Sequence, residues 1–197
     1  MENYISSPNN LSVDPWLDDE IDHSDEPLVV QLKNANRLER LRTTLRVNTT
    51  ITMLTSPLAR ILRRDWNLVS AKLFVNALDK DYEQLIRQEV SELAWQAADL
   101  HDLASALPVS QTEAAWMRPR TLHIQIVHPI TAQWLRAFVV YDRAFAKLIN
   151  AEKAGRMTKQ QRLAMIRPCQ LSYMGFKAIA MKMCLKSTEE LLAEAGF

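Results

Sequence analysis

The segment R-T-L-H-I-Q-I-V-H, held between Pro119 and Pro129, restricts the fold of this chain most. Leu122, Ile124 and Ile126 alternate with Thr121, His123 and Gln125, the period of a strand with one dry face and one polar face. Pro129 stops that strand, and a helix of about six turns is expected over 131–153. Thr131 is placed to cap it, and Trp134, Leu135, Phe138, Val139, Phe145, Leu148 and Ile149 supply its apolar stripe. Gly155 is placed to end it. Thr158 then caps a helix over 159–166, Pro168 interrupts, and a further helix follows over 171–185. Ser187 to Glu190 form a capping box for a last short helix ending at Gly196. With only 3 glycines in 197 residues, helices are favoured over a many-turned β fold.

Upstream, 29–41 fits a short helix. A second strand is expected at 44–53, where Leu45, Val47, Ile51 and Met53 alternate with polar residues and β-branched side chains are dense. Its polar face offers Thr44, Arg46 and Asn48. Ser56-Pro57 is a helix start, and the helix to Asn76 should turn Leu58, Ile61, Leu62, Leu68, Ala71 and Phe74 inward. The strongest helix is 80–105, where Tyr82, Ile86, Val90, Leu93, Ala97 and Leu100 recur at three- and four-residue steps; it reads as scaffold. Pro108 and Ser110 mark a loop, and no internal repeat is visible. The expected fold is mainly α with short β-strands. It divides into a tail at 1–28, a helical region with one strand at 29–110, and a strand–helix–helix region at 118–197, with 29–197 as one compact domain.

Charge is partitioned. Residues 1–28 carry eight acidic residues and no Lys or Arg, so the net charge of +1 hides a basic body. Within 118–186, 13 basic residues face two acids, Asp142 and Glu152. Such a body suits a polyanionic partner, or is a solvated basic face. The tail, punctuated by Pro8, Pro15 and Pro27, has a disordered composition. Trp16 and Leu17 amid its acids could dock on a partner or on the chain's own basic surface; otherwise the tail is inert. No apolar run reaches the length of a membrane span, and the N-terminus has no signal-peptide pattern. Cys169 and Cys184 read as reduced thiols, so a cytoplasmic protein without membrane association is expected.

Phosphate-loop, dinucleotide-loop, zinc-protease and C-x-x-C motifs are absent, and three glycines leave little for a phosphate cradle. The four residues Cys169, Cys184, His123 and His128 do not have the spacing of a zinc finger. His101-Asp102 reads as a surface pair, and Cys169 and Cys184, near Met174, Met181 and Met183, as core filling. No enzymatic activity, cofactor or metal is expected.

What remains is recognition by a strand. Double-stranded DNA shows a distinct donor and acceptor pattern at each base pair of the major groove, which a β-ribbon with one polar face can read. Thr121, His123 and Gln125 form such a face: Gln suits adenine, Thr a base edge or thymine methyl, and His guanine. A lone strand has unpaired edges, so pairing with a symmetry mate would make a dimeric reader of a palindrome. Arg46 and Asn48 on the earlier strand are chemically the stronger readers, for guanine and adenine. The later strand matches the strand–helix–helix order better, and both could share one sheet. Arg118, Arg120, Arg156, Thr158 and Lys159 are candidate phosphate contacts; the last three lie where a helix N-terminus can face phosphate.

The segment H-I-Q-I-V-H-P…N-A-E-K-A-G-R-M-T-K resembles the ribbon-helix-helix repressors of the Arc type, although its first helix is longer than those compact folds use. More broadly, 40–185 resembles the AcaB-like family of integrating conjugative elements and conjugative plasmids. The likeness rests on an early T-L-R-V-N, the late R-T-L-H-I-Q-I-V-H-P and the helix Y-D-R-A-F-A-K-L-I-N. It implies a ribbon-helix-helix-like homodimeric activator of conjugation genes acting at a promoter operator, with RNA polymerase a further candidate partner. The alternative is a helical protein–protein adaptor of the transfer machinery that never touches DNA.

Overall fold

The structure, a computed structural model, describes residues 28–107 and 119–183. The tail at 1–27, Pro108, Ser110, Arg118, Cys184 and the expected helix at 187–196 lie outside the described residues. In chain order the elements are β1 (Leu28–Val30), α1 (Asn36–Glu39), β2 (Val47–Met53), α2 (Ser56–Asn76), α3 (Lys80–Ser105), β3 (Arg120–Ile126), α4 (Pro129–Lys153) and α5 (Lys159–Ala180). The fold is mainly helical with one small sheet. No helix among the described residues is long and apolar enough to cross a membrane.

Two expectations for the helices need correction. Residues 29–41 are not one helix: β1 occupies the start, and Asn34, at φ +59°, turns the chain into the single turn of α1. Downstream, Pro168 does not end a helix; it lies inside α5. Losing one backbone hydrogen bond there is offset because Arg162, Ile166, Cys169, Tyr173, Phe176 and Ala180 form one unbroken buried stripe at alternating steps of four and three. In α2, Leu68, Ala71 and Phe74 are only half-buried; the inward face runs through Asp65, Trp66, Val69 and Leu73. The helix at 80–105 and its stripe are as expected, with Tyr82 half-buried and the other five buried.

The sheet has the order β1–β3–β2. β1 runs parallel to β3, with Val30 opposite Leu122, and β2 runs antiparallel to it, with Val47 opposite Ile126 and Met53 opposite Arg120. The two strand candidates are therefore neighbours in one sheet. β3 is central, which rules out pairing it along its length with a symmetry mate: β2 fills one side, and β1 fills the first part of the other. Beyond the end of β1, the Gln125 carbonyl accepts from the Trp66 indole at 3.1 Å.

Beneath the sheet lie α2 and α4, joined by Trp66 stacked on Trp134 with ring centroids 4.7 Å apart. α3 and α5 pack against α4, α2 and each other, away from the sheet. Asp65 clasps α2 to α5, accepting from Arg64 (2.8 Å), from the Tyr173 hydroxyl (2.7 Å) and from Lys177 (2.9 Å). Burial raises the pKa of this carboxyl, but the three donors outweigh burial and hold it below its ordinary value.

A second buried carboxylate sets the start of α2. Asp142 of α4 accepts from the Leu54 amide (2.5 Å), the Thr55 amide (3.0 Å) and the Thr55 hydroxyl (2.6 Å). Thr55, the residue before the helix, thus spends its hydroxyl on α4 and makes no side-chain cap. Burial pushes Asp142 up to about 6 in spite of these bonds. Between roughly pH 4 and 6 the folded chain holds a proton there that the unfolded chain has released, so this group's contribution to stability falls as pH rises. Asp142→Asn should remove that slope, worth at most about 3 kcal/mol. The check is the denaturant midpoint of both proteins from pH 4 to 7: the variant's curve should lose the decline seen in the wild type, whatever its constant offset.

Candidate nucleic-acid interface

Sheet alternation sends Leu122, Ile124 and Met53 into the core and the intervening side chains outward. The antiparallel register then sets Asn48 opposite Gln125, Thr50 opposite His123 and Thr52 opposite Thr121. All six share the outer face, with Val29 of β1 beside Thr121. Two of the pairs are bonded: Thr50 Oγ1 lies 3.1 Å from His123 Nδ1, and Gln125 Nε2 donates to Asn48 Oδ1 at 3.4 Å. The second contact uses the Gln125 amino group and the Asn48 carbonyl oxygen, which leaves a donor on Asn48 and an acceptor on Gln125. A donor next to an acceptor is the complement of adenine's N7 and N6 in the major groove. None of the six carries a negative charge.

Arg46 is not among these paired strand residues. It precedes β2, and its guanidinium donates to the carbonyls of Leu38 (3.3 Å), Glu39 (3.4 Å) and Leu41 (2.6 Å), closing the C-terminal end of α1. α1 sits at the border of the outer face: a cavity of about 340 Å³ is lined by Ala35, Leu38 and Glu39 on one side and by His123 and Gln125 on the other. The connection from β1 to β2 is rich in cations: Lys33, Arg37, Arg40, Arg42 and Arg46 are all exposed, with Glu39 as its single acid. Charge counted over 118–186 misses this cluster, which the run of Arg and Lys between 33 and 46 marks in the sequence.

The phosphate candidates lie elsewhere. α4 passes beneath the sheet antiparallel to β3, because its start follows the end of β3 and Asp142 meets Leu54 and Thr55, just past the other end. From Asp142 the helix runs on for about 16 Å before it ends. The turn with Arg156, Thr158 and Lys159 therefore projects beyond the sheet, in the layer behind it, and the structure does not bring these residues together with the outer face. Thr158 and Gln161 form a reciprocal capping box, with Thr158 Oγ1 accepting from the Gln161 amide at 3.2 Å and Gln161 Oε1 from the Thr158 amide at 2.7 Å. Gly155, at φ +71°, supplies the left-handed turn between the helices. Arg120 is half-buried at the start of β3.

The described histidines have structural partners. His128, not Thr131, is the N-cap of α4: its Nδ1 accepts from the Ile130 amide, and Thr131 Oγ1 accepts from the His128 amide, both at 3.3 Å. Burial lowers the His128 pKa below its ordinary value, which keeps that nitrogen an acceptor. His101 lies 3.7 Å from Asp102 and 3.4 Å from Lys147 Nζ at the surface of α3. Buried Cys169 donates to the Gln96 carbonyl, and burial pushes its thiol up to about 12. No group of three His, Cys, Asp or Glu among the described residues could hold a metal ion.

No protein-family model matches the chain, and no curated protein matches it in sequence. Among solved structures, its fold is similar to that of AcaB from uropathogenic E. coli, crystallised in selenomethionine form. The TM-score is 0.55 and the identity 17%, over 70% of this chain and 79% of that one.

The geometry assigns Arg46 a structural role. Arg46→Ala should free the α1 carbonyls, lower stability by about 1 kcal/mol and speed amide exchange over 36–41. Arg46→Lys should restore part of the loss, because all three bonds come from one nitrogen, Nη2, whose place an ammonium can take. Urea denaturation with hydrogen exchange checks both.

Proposed function

We propose that this chain is a sequence-specific DNA-binding regulator, an activator of conjugative-transfer genes, that sets the outer face of β2 and β3 into the major groove. The carrying observation is the register that aligns Asn48 with Gln125, Thr50 with His123 and Thr52 with Thr121 on one exposed polar face. Two neighbouring strands about 4.8 Å apart fit a groove about 12 Å wide. The excess of basic residues downstream of the acidic tail supplies a salt-sensitive phosphate attraction. The fold likeness to AcaB supports the same reading. The chain acts as a homodimer on a palindromic operator, and because β3 is central, the two copies meet through another surface. RNA polymerase is a further candidate partner.

A second reading, a protein–protein adaptor, is favoured by one observation: Trp95 on α3 and Met174 on α5 are 61% and 63% exposed. Binding to a fragment carrying the protein's own upstream region, at two salt concentrations beside a scrambled competitor, separates the two. A DNA reader resists the competitor and footprints a palindrome; an adaptor does neither.

Within the DNA reading, Asn48→Ala and Gln125→Ala should each relax preference at the same base pair, by about 1–3 kcal/mol. The double variant should lose little more than either single, because the two amides act as one unit. Lys159→Ala should weaken all sequences slightly and equally. Selection from a randomised operator checks this. Unchanged preference in both single variants would remove the face from the mechanism.

A further inference from the structure

On the side of α1 away from His123 and Gln125, a second cavity of about 380 Å³ opens between α1 and α2. Arg37 and Arg40 of α1 and Lys72 of α2 line it, with Asn36 and Asn76 beside them, and no carboxylate lines it. All three cations are exposed, and the side chain of none makes an ion pair or hydrogen bond among the described residues. Several other cations of the chain are paired: Arg64 and Lys177 with Asp65, Lys80 and Arg87 with Glu83, and Arg162 with Glu152. Three unpaired like charges around one concavity repel one another, at a cost that a bound anion would remove.

We propose that this cleft receives the phosphodiester backbone of duplex DNA, so that α1 straddles the border of the groove. This rests on the DNA-binding reading. The outer face of the sheet meets base edges, α1 lies against its His123–Gln125 margin, and the cations of α1 point to the opposite side, where the backbone bordering a major groove runs. Lys33 and Arg42, exposed on the same connection, extend the positive strip along the backbone. Arg46, bonded to the α1 carbonyls, holds that short helix at its angle. The principal phosphate contacts thus belong to the β1–β2 connection and α2, and the α4–α5 turn is secondary.

The test compares three full-length proteins on the operator fragment and on scrambled DNA, across a salt series. Arg37→Gln/Arg40→Gln/Lys72→Gln should lower the slope of log affinity against log salt by about two to three, since each phosphate contact contributes about 0.9. It should weaken both DNAs by the same factor and leave their ratio intact. Arg156→Gln/Lys159→Gln/Arg167→Gln removes the same charge at the other end of the molecule and should change the slope by less than one-third as much. Arg37→Lys/Arg40→Lys/Lys72→Arg keeps the charge and should keep the slope. Equal losses from the two Gln sets would reduce the effect to overall charge and overturn the assignment. An unchanged slope in the first set, with the wild type still bound and salt-sensitive, would overturn it while leaving the DNA reading in place. A wild type that binds neither DNA would overturn both.

Discussion

The stack of Trp66 on Trp134 carries the rest of the structure. Both indoles are fully buried, and together they join α2 to α4 directly beneath the sheet. Trp134 also touches Phe138, Tyr173 and Phe176, so one ring binds the sheet-side layer to α5. Trp66 adds a directional contact: its Nε1–H donates to the Gln125 carbonyl at the point where β1 has run out and that carbonyl has no strand partner. An unmet carbonyl there would cost about 1–3 kcal/mol. The side chain of Gln125 belongs to the exposed polar face, so the core reaches through one peptide unit to fix a surface amide.

Two carboxylates complete what the apolar contacts leave open. Packing of α2 alone does not define where that helix begins, since Ser56 and Pro57 make no side-chain cap and Thr55 turns its hydroxyl away. Asp142 resolves this from α4 and in doing so fixes the exit of β2, and hence the register that aligns Asn48 with Gln125. Asp65 works in the opposite electrostatic regime, with three donors in place of neutral amides, and stays ionised where Asp142 is poised to take a proton. The difference follows from the charged donors of Asp65 and from the heavier burial of Asp142.

Much of this was legible in the residues. Strict alternation from Thr121 to Ile126 identified β3, because a half-buried strand admits no other pattern. The three- and four-residue steps from Ile86 to Leu100 identified α3, and Gly155 the end of α4. Three things were not legible. Strand neighbours depend on contacts 67 to 92 positions apart in sequence, so the central place of β3 could not be inferred from its own alternation. Pro168 signals a break locally, and only the unbroken stripe against α3 and α4 overrides it. Arg46 looked like a reader because its chemistry suits guanine, whereas geometry engages its Nη2 with the end of α1. Of the candidate site, Asn48, Thr121, His123 and Gln125 meet on one face; Arg156, Thr158 and Lys159 stand apart from it.

The central position of β3 has a consequence for quantity as well as shape. A ribbon shared between two subunits exists only when the subunits are associated, so its abundance follows the square of chain concentration when the chain is dilute. Here both strands of the outer face come from a single chain and are held by its own core. Each molecule carries the whole surface as soon as it folds, and the amount on offer rises in direct proportion to synthesis. Under the DNA-binding function proposed above, any threshold in the response then arises at a later step, in how two such surfaces are used together.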